Sequence, residues 1–131
     1  MADNKIEQYL IDLMVSYREI SDNFWLIEDD EHCLESVAVM RVDSIVVFRT
    51  TIMDVPNVSD EKKFALFSKL LELNATDLVH GAYAVEGGRI ILIDTWEYDT
   101  LDFLEFRAVL DAFALALIQH YKILSDYRKV S

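Results

Sequence analysis

The sequence predicts an α+β fold in which a mainly antiparallel sheet packs with helices, and three observations predict it. Gly87-Gly88 separates two branched and aromatic runs, 78–85 and 89–96, as the two-residue turn of a β-hairpin does. Apolar residues at spacings of three and four mark amphipathic helices near the start, the middle and the end of the chain. Every strand connection short enough to read is a hairpin, which makes neighbouring strands antiparallel. The element order read in this way is α-β-β-β-α-β-β-α, one domain over 1–131 with no repeat, linker or low-complexity segment.

The first helix is read from Asp3 to Ile20 on Ile6, Leu10, Leu13, Tyr17 and Ile20, with Tyr9 and Met14 widening its apolar stripe. Asp22-Asn23 breaks it. Phe24, Trp25, Leu26 and Ile27 then form a short strand that ends in the acidic stretch 28–35. Two further strands, 37–42 and 45–53, pair around Asp43-Ser44, and Pro56 ends the pairing because it has no N–H to give. Ser59 is the N-cap of the second helix, Asp60 and Glu61 favour its positive end, and Phe64, Phe67, Leu70 and Leu71 give helical spacing. Asn74 ends this helix, since it tolerates the left-handed conformation.

In the hairpin, the glycine turn sets Val85 against Ile90, Tyr83 against Leu92, Gly81 against Asp94 and Val79 against Trp96, with Ala82, Ala84, Ile91 and Ile93 on the opposite face. Both faces are apolar near the turn, so each needs a cover, and Ala82 and Ala84 leave room for a helix. The third helix is read over 101–126, capped by Asp99 or Thr100. Phe103, Phe106, Leu110, Phe113, Leu117, Tyr121 and Leu124 form one line along it, and Leu104, Leu115 and Ile118 project away. A helix buried on one side has no use for that second set, which argues for a homodimer or a bound partner.

Hydrophobic residues make up 53% of the chain, so the formal charge of −12 is the surface charge of a folded domain and not the mark of a disordered acidic tail. That field repels nucleic acid and anionic membranes, and no basic patch offsets it. The N-terminal residues lack the layout of a signal peptide, the longest fully apolar run is 112–118, and Cys33 has no second cysteine to pair with. A cytoplasmic protein without a membrane span is expected. The stretch Glu28-Asp29-Asp30-Glu31-His32-Cys33 offers metal-type ligands, but consecutive residues do not turn inward on one ion and no paired ligand motif occurs. A small metal-binding protein or enzyme built on Glu28–Cys33 is therefore the least favoured reading. His80 falls on the face of the sheet away from Asp94, and His120 on the polar side of the last helix. No phosphate loop and no nucleophile motif is present. The residues point to no catalytic group, no cofactor and no metal, and to another protein as partner.

The residues Leu70, Leu71, Asn74, Gly81, Gly87-Gly88, Ile90 to Ile93, Leu101-Asp102, Leu104 and Leu110 to Phe113, in this element order, resemble the type III secretion chaperone-like family, which holds CesT-like effector chaperones and YbjN-like proteins. The resemblance is firm over 59–124 and elsewhere rests on element order. It implies a non-catalytic homodimer that holds an extended segment of a partner protein. By resemblance, Phe64, Phe67, Leu71, Tyr83 and Leu92 would serve dimerisation, and Tyr9, Leu13, Trp25, Val39 and Phe48 would line partner grooves. The second reading it leaves open is a YbjN-like sensory or stress regulator acting on a folded partner.

Overall fold

The computed structural model describes residues 5–128. The elements run α1 (Lys5–Leu13), β1 (Tyr17–Ser21), β2 (Phe24–Asp29), β3 (Leu34–Val42), β4 (Ile45–Asp54), α2 (Asp60–Thr76), β5 (Ala82–Glu86), β6 (Arg89–Glu97) and α3 (Phe103–Arg128). The α+β class stands, and the order gains one strand. The first helix does not reach Ile20. It ends at Leu13, Met14 adopts a φ of 61°, and the chain turns back as β1 to pair with β2. The expected start of that helix at Asp3 lies outside the described residues.

The six strands form one sheet in the order β1-β2-β3-β4-β6-β5, antiparallel at every step. The edges are β1 and β5. Asp43-Ser44 closes the β3–β4 hairpin, with Val42 opposite Ile45. Gly87 and Gly88 close the β5–β6 hairpin with φ of 58° and 76°, the two positive angles that a type I′ turn requires. The register of that hairpin is the expected one from Glu86↔Arg89 to Tyr83↔Leu92, but pairing stops at Ala82. Val79 and Gly81 are therefore not opposite Trp96 and Asp94.

Residues directly opposite across the strands share a face. One such face carries Trp25, Val39 and Phe48 in one row, and Ile27, Val37, Thr50, Leu92 and Tyr83 along the next. The helices pack here. Phe48 meets Phe106 and Phe113 of α3 at ring distances of 5.3 and 6.5 Å, and Tyr9 of α1 meets Phe106 at 5.5 Å. The close approach occurs at Gly81, not at Ala82 and Ala84. A Cβ at Gly81 would lie 3.0 Å from Phe113 Cε1, and its φ is +88°. The alanines sit half-buried on the other face, beside a fully buried Ile91.

Both later helices have well-formed starts. Ser59 Oγ accepts the amide of Lys62 and caps α2, as the sequence predicts. The cap of α3 is Asp102 and not Asp99 or Thr100: Asp102 Oδ1 accepts the Glu105 amide at 2.8 Å and Glu105 Oε1 accepts the Asp102 amide at 3.0 Å, a capping box. Asn74 does not end α2, which runs on to Thr76. Its side-chain amide instead bonds Tyr83 in both directions, accepting from N at 2.7 Å and donating to O at 3.1 Å, and so serves β5 as one residue of a neighbouring strand. By length and composition α3 is apolar enough to cross a bilayer, but its Phe106, Phe113 and Leu124 are buried in the core.

Candidate protein-binding surfaces

The buried line of α3 runs through Phe106, Val109, Leu110, Phe113, Ala116, His120 and Leu124. His120 is thus inside, 1% exposed, and not on the polar side of the helix. Its Nδ1 lies 2.6 Å from Tyr83 Oη and its Nε2 3.2 Å from Asp77 Oδ2. A carboxylate only accepts, so Nε2–H donates to Asp77, and Nδ1 shares a hydrogen bond with the Tyr83 hydroxyl. Burial pushes the Tyr83 phenol well above its ordinary range, and the Asp77 charge pushes in the same direction. Asp77 is held low, first by the Thr76 hydroxyl and then by His120. A phenol kept protonated in this way is no nucleophile at neutral pH. What the three groups do is tie the end of α2, strand β5 and α3 together, a link that no local motif announces.

The acidic stretch is likewise occupied by structure. Asp29 is buried, and its carboxylate accepts the amides of Ser16 at 2.7 Å and His32 at 3.0 Å, with His32 Nδ1 at 2.9 Å. The His32 contact is the main reason its carboxyl is held below the usual range. Glu28 pairs with Arg18 of β1 at 2.9 Å. Among the described residues no group of three or more His, Cys, Asp or Glu is placed to hold a metal ion. His80 meets Trp96 at a tilt of 50° with ring centroids 5.6 Å apart, and Trp96 Nε1 donates to Asp94 Oδ2 at 2.7 Å.

The residues expected to line partner grooves all turn inward. Trp25, Val39 and Phe48 are in the core, Tyr9 donates its hydroxyl to Leu101 O at 3.2 Å, and Leu13 packs on the core from α1. Of those expected at a dimer interface, Tyr83 and Leu92 are buried within the chain and Phe67 is half-buried. Phe64 and Leu71 stand out from α2, 73% and 67% exposed.

Exposed apolar side chains lie in three places. Ile11 of α1, Met14 just past its end and Ile20 of the edge strand β1 are exposed. Phe64 and Leu71 share α2, with Val79 ahead of β5 and Val85 within it. On α3, Leu104, Leu115 and Ile118 are exposed, the set that the sequence shows projecting away, and Tyr121 joins them. Beside the last two, a cleft of about 500 Å³ opens between the C-terminal half of α3 and the sheet.

The family model CesT_Tir_1 matches residues 2–130. The chain belongs to the CesT_Tir_1 family. Three solved structures are similar to it in fold. YbjN from E. coli is 11% identical with a TM-score of 0.63, over 91% of this chain and 90% of that one. A chain of the heterodimeric ExoU–SpcU complex, from the type III secretion system of Pseudomonas aeruginosa, is 15% identical with a TM-score of 0.66, over 87% and 93%. One from the ExsC–ExsE complex is 11% identical with a TM-score of 0.51, over 94% and 92%. No curated protein matches the sequence significantly.

Proposed function

We propose that the chain is a non-enzymatic protein-binding module that acts as a cytoplasmic homodimer and holds an extended segment of a partner protein, as a secretion chaperone does. The observation that carries this reading is the open edge of β1. One side of Tyr17–Ser21 pairs with β2 and the other has no strand beside it among the described residues, while Ile20 within the strand and Ile11 and Met14 shortly before it in the chain are exposed. An unpaired edge flanked by apolar side chains is the geometry that adds a strand from another chain, with main-chain hydrogen bonds giving affinity and the flanking side chains giving selectivity. The far edge is less open, because Asn74 already occupies the backbone of Tyr83.

Family membership and the occurrence of similar folds in the ExoU–SpcU and ExsC–ExsE complexes support a protein partner. Phe64 and Leu71 on α2 are the apolar surface proposed for the homodimer. The test is capture from host extract with the tagged chain, followed by light scattering of the eluate. Two copies of the chain with one copy of a larger protein, and loss of that protein in an Ile20→Lys variant, support the reading. A partner that stays bound to Ile20→Lys moves the contact away from β1, and no partner at all overturns the proposal.

A further inference from the structure

The cleft beside α3 has an apolar wall and an acidic rim. Ile118, Tyr121 and Leu124 form the wall with Ile52 of β4, and Asp30 and Glu35 stand at the rim. Among the described residues no lysine or arginine lines the cleft and neither carboxylate enters an ion pair. The polar atoms of the inner wall are already engaged. Thr50 Oγ1 donates to the backbone oxygens of Glu35 and Ser36, and the Tyr83 hydroxyl is held by His120. The wall therefore offers apolar contact, and the rim offers the negative charge of Asp30 and Glu35, unpaired among the described residues. An occupant needs an apolar body with a cation set a side chain's length away from it.

We propose that this cleft binds a basic and apolar segment of the partner polypeptide, a leucine or isoleucine anchor flanked by arginine or lysine. The proposal rests on the protein-binding reading above and supplies the partner's chemistry at a second surface. The volume of about 500 Å³ holds a few side chains, not a folded domain. The chain's charge of −12 draws such a segment in, and it repels nucleic acid and anionic headgroups.

Cys33 also lines the cleft, is exposed, and is the only cysteine in the sequence, so its alkylation by iodoacetamide reports occupancy in the unmodified chain. The probes are two capped tetrapeptides, Arg-Leu-Ile-Arg and Glu-Leu-Ile-Glu. The basic peptide is expected to slow alkylation saturably by about threefold or more, and to lose most of that effect at about 0.5 M salt, where exposed charges are screened. The acidic peptide is expected to do nothing. Protection should disappear in the double variant Asp30→Lys, Glu35→Lys and in Ile118→Asp, all exposed positions, and persist in Ile20→Lys. Equal protection by both peptides, no protection by the basic one, or protection that survives the double variant overturns the proposal. If the double variant still captures the partner while Ile20→Lys does not, the cleft is excluded and the β1 reading survives. If the wild-type chain captures nothing, the protein-binding reading itself fails.

Discussion

At the scale of single residues, the buried polar groups decide stability and were the least legible part of the chain. Asp29 sits in a run of acids that reads as a solvated turn, yet it alone turns inward to hold Ser16 and His32. Nothing local separates it from Asp30. Asp29→Asn removes a charged acceptor from bonded amides and is expected to cost roughly 1–3 kcal/mol at neutral pH, read from urea midpoints. The folded-state carboxyl is held low, so its contribution is complete above the unfolded value of about 3.9 and is lost as pH falls through the lower folded value. The difference between wild type and Asp29→Asn should therefore shrink below about pH 4. His120 was misplaced for a related reason. From Phe113 the steps 117 and 121 or 116 and 120 are equally helical, and the larger apolar residues Leu117 and Tyr121 draw the line to the wrong side. Tyr83→Phe leaves His120 Nδ1 without its hydrogen-bond partner and is expected to lower stability by about 1 kcal/mol.

At the scale of elements, the hairpin was legible because two adjacent glycines between branched runs have few other uses, and its register followed from the turn. Strand β1 was not legible. Tyr17 and Ile20 continue the spacing of α1, and the break falls at Met14, a residue that seldom takes a positive φ and gives no warning in sequence. As a largely exposed edge strand, β1 also lacks the alternation that marks a half-buried one. Where the hairpin meets α3, Gly81→Ala forces a Cβ to 3.0 Å from Phe113 and a side chain onto a φ of +88°, and it should cost roughly 1–3 kcal/mol, seen as a lowered Tm. Partner-groove reasoning failed for Val39 and Phe48 because an apolar strand residue reads the same whether it faces a partner or the chain's own helix. Both are 0% exposed, and Val39→Asp or Phe48→Asp is expected to unfold the chain and not merely to weaken binding.

At the scale of the whole molecule, the sheet with its helices on one face is built around Phe48, Phe106 and Phe113, and the apolar surface left over lies at β1, on α2 and along α3. Excess apolar content on α3 was visible in sequence, but which edge of the sheet stays open follows only from strand order. If α2 joins two copies, the double variant Phe64→Asp, Leu71→Asp should run as a monomer in light scattering with an unchanged melting curve, since both side chains are largely exposed. The central claim is that β1 receives a strand from the partner. Amide hydrogen exchange of the chain, alone and with its captured partner, tests it most directly. The account predicts new protection at alternate amides within Tyr17–Ser21, where one side of the strand is open. Unchanged exchange in β1 while the partner is bound would contradict it.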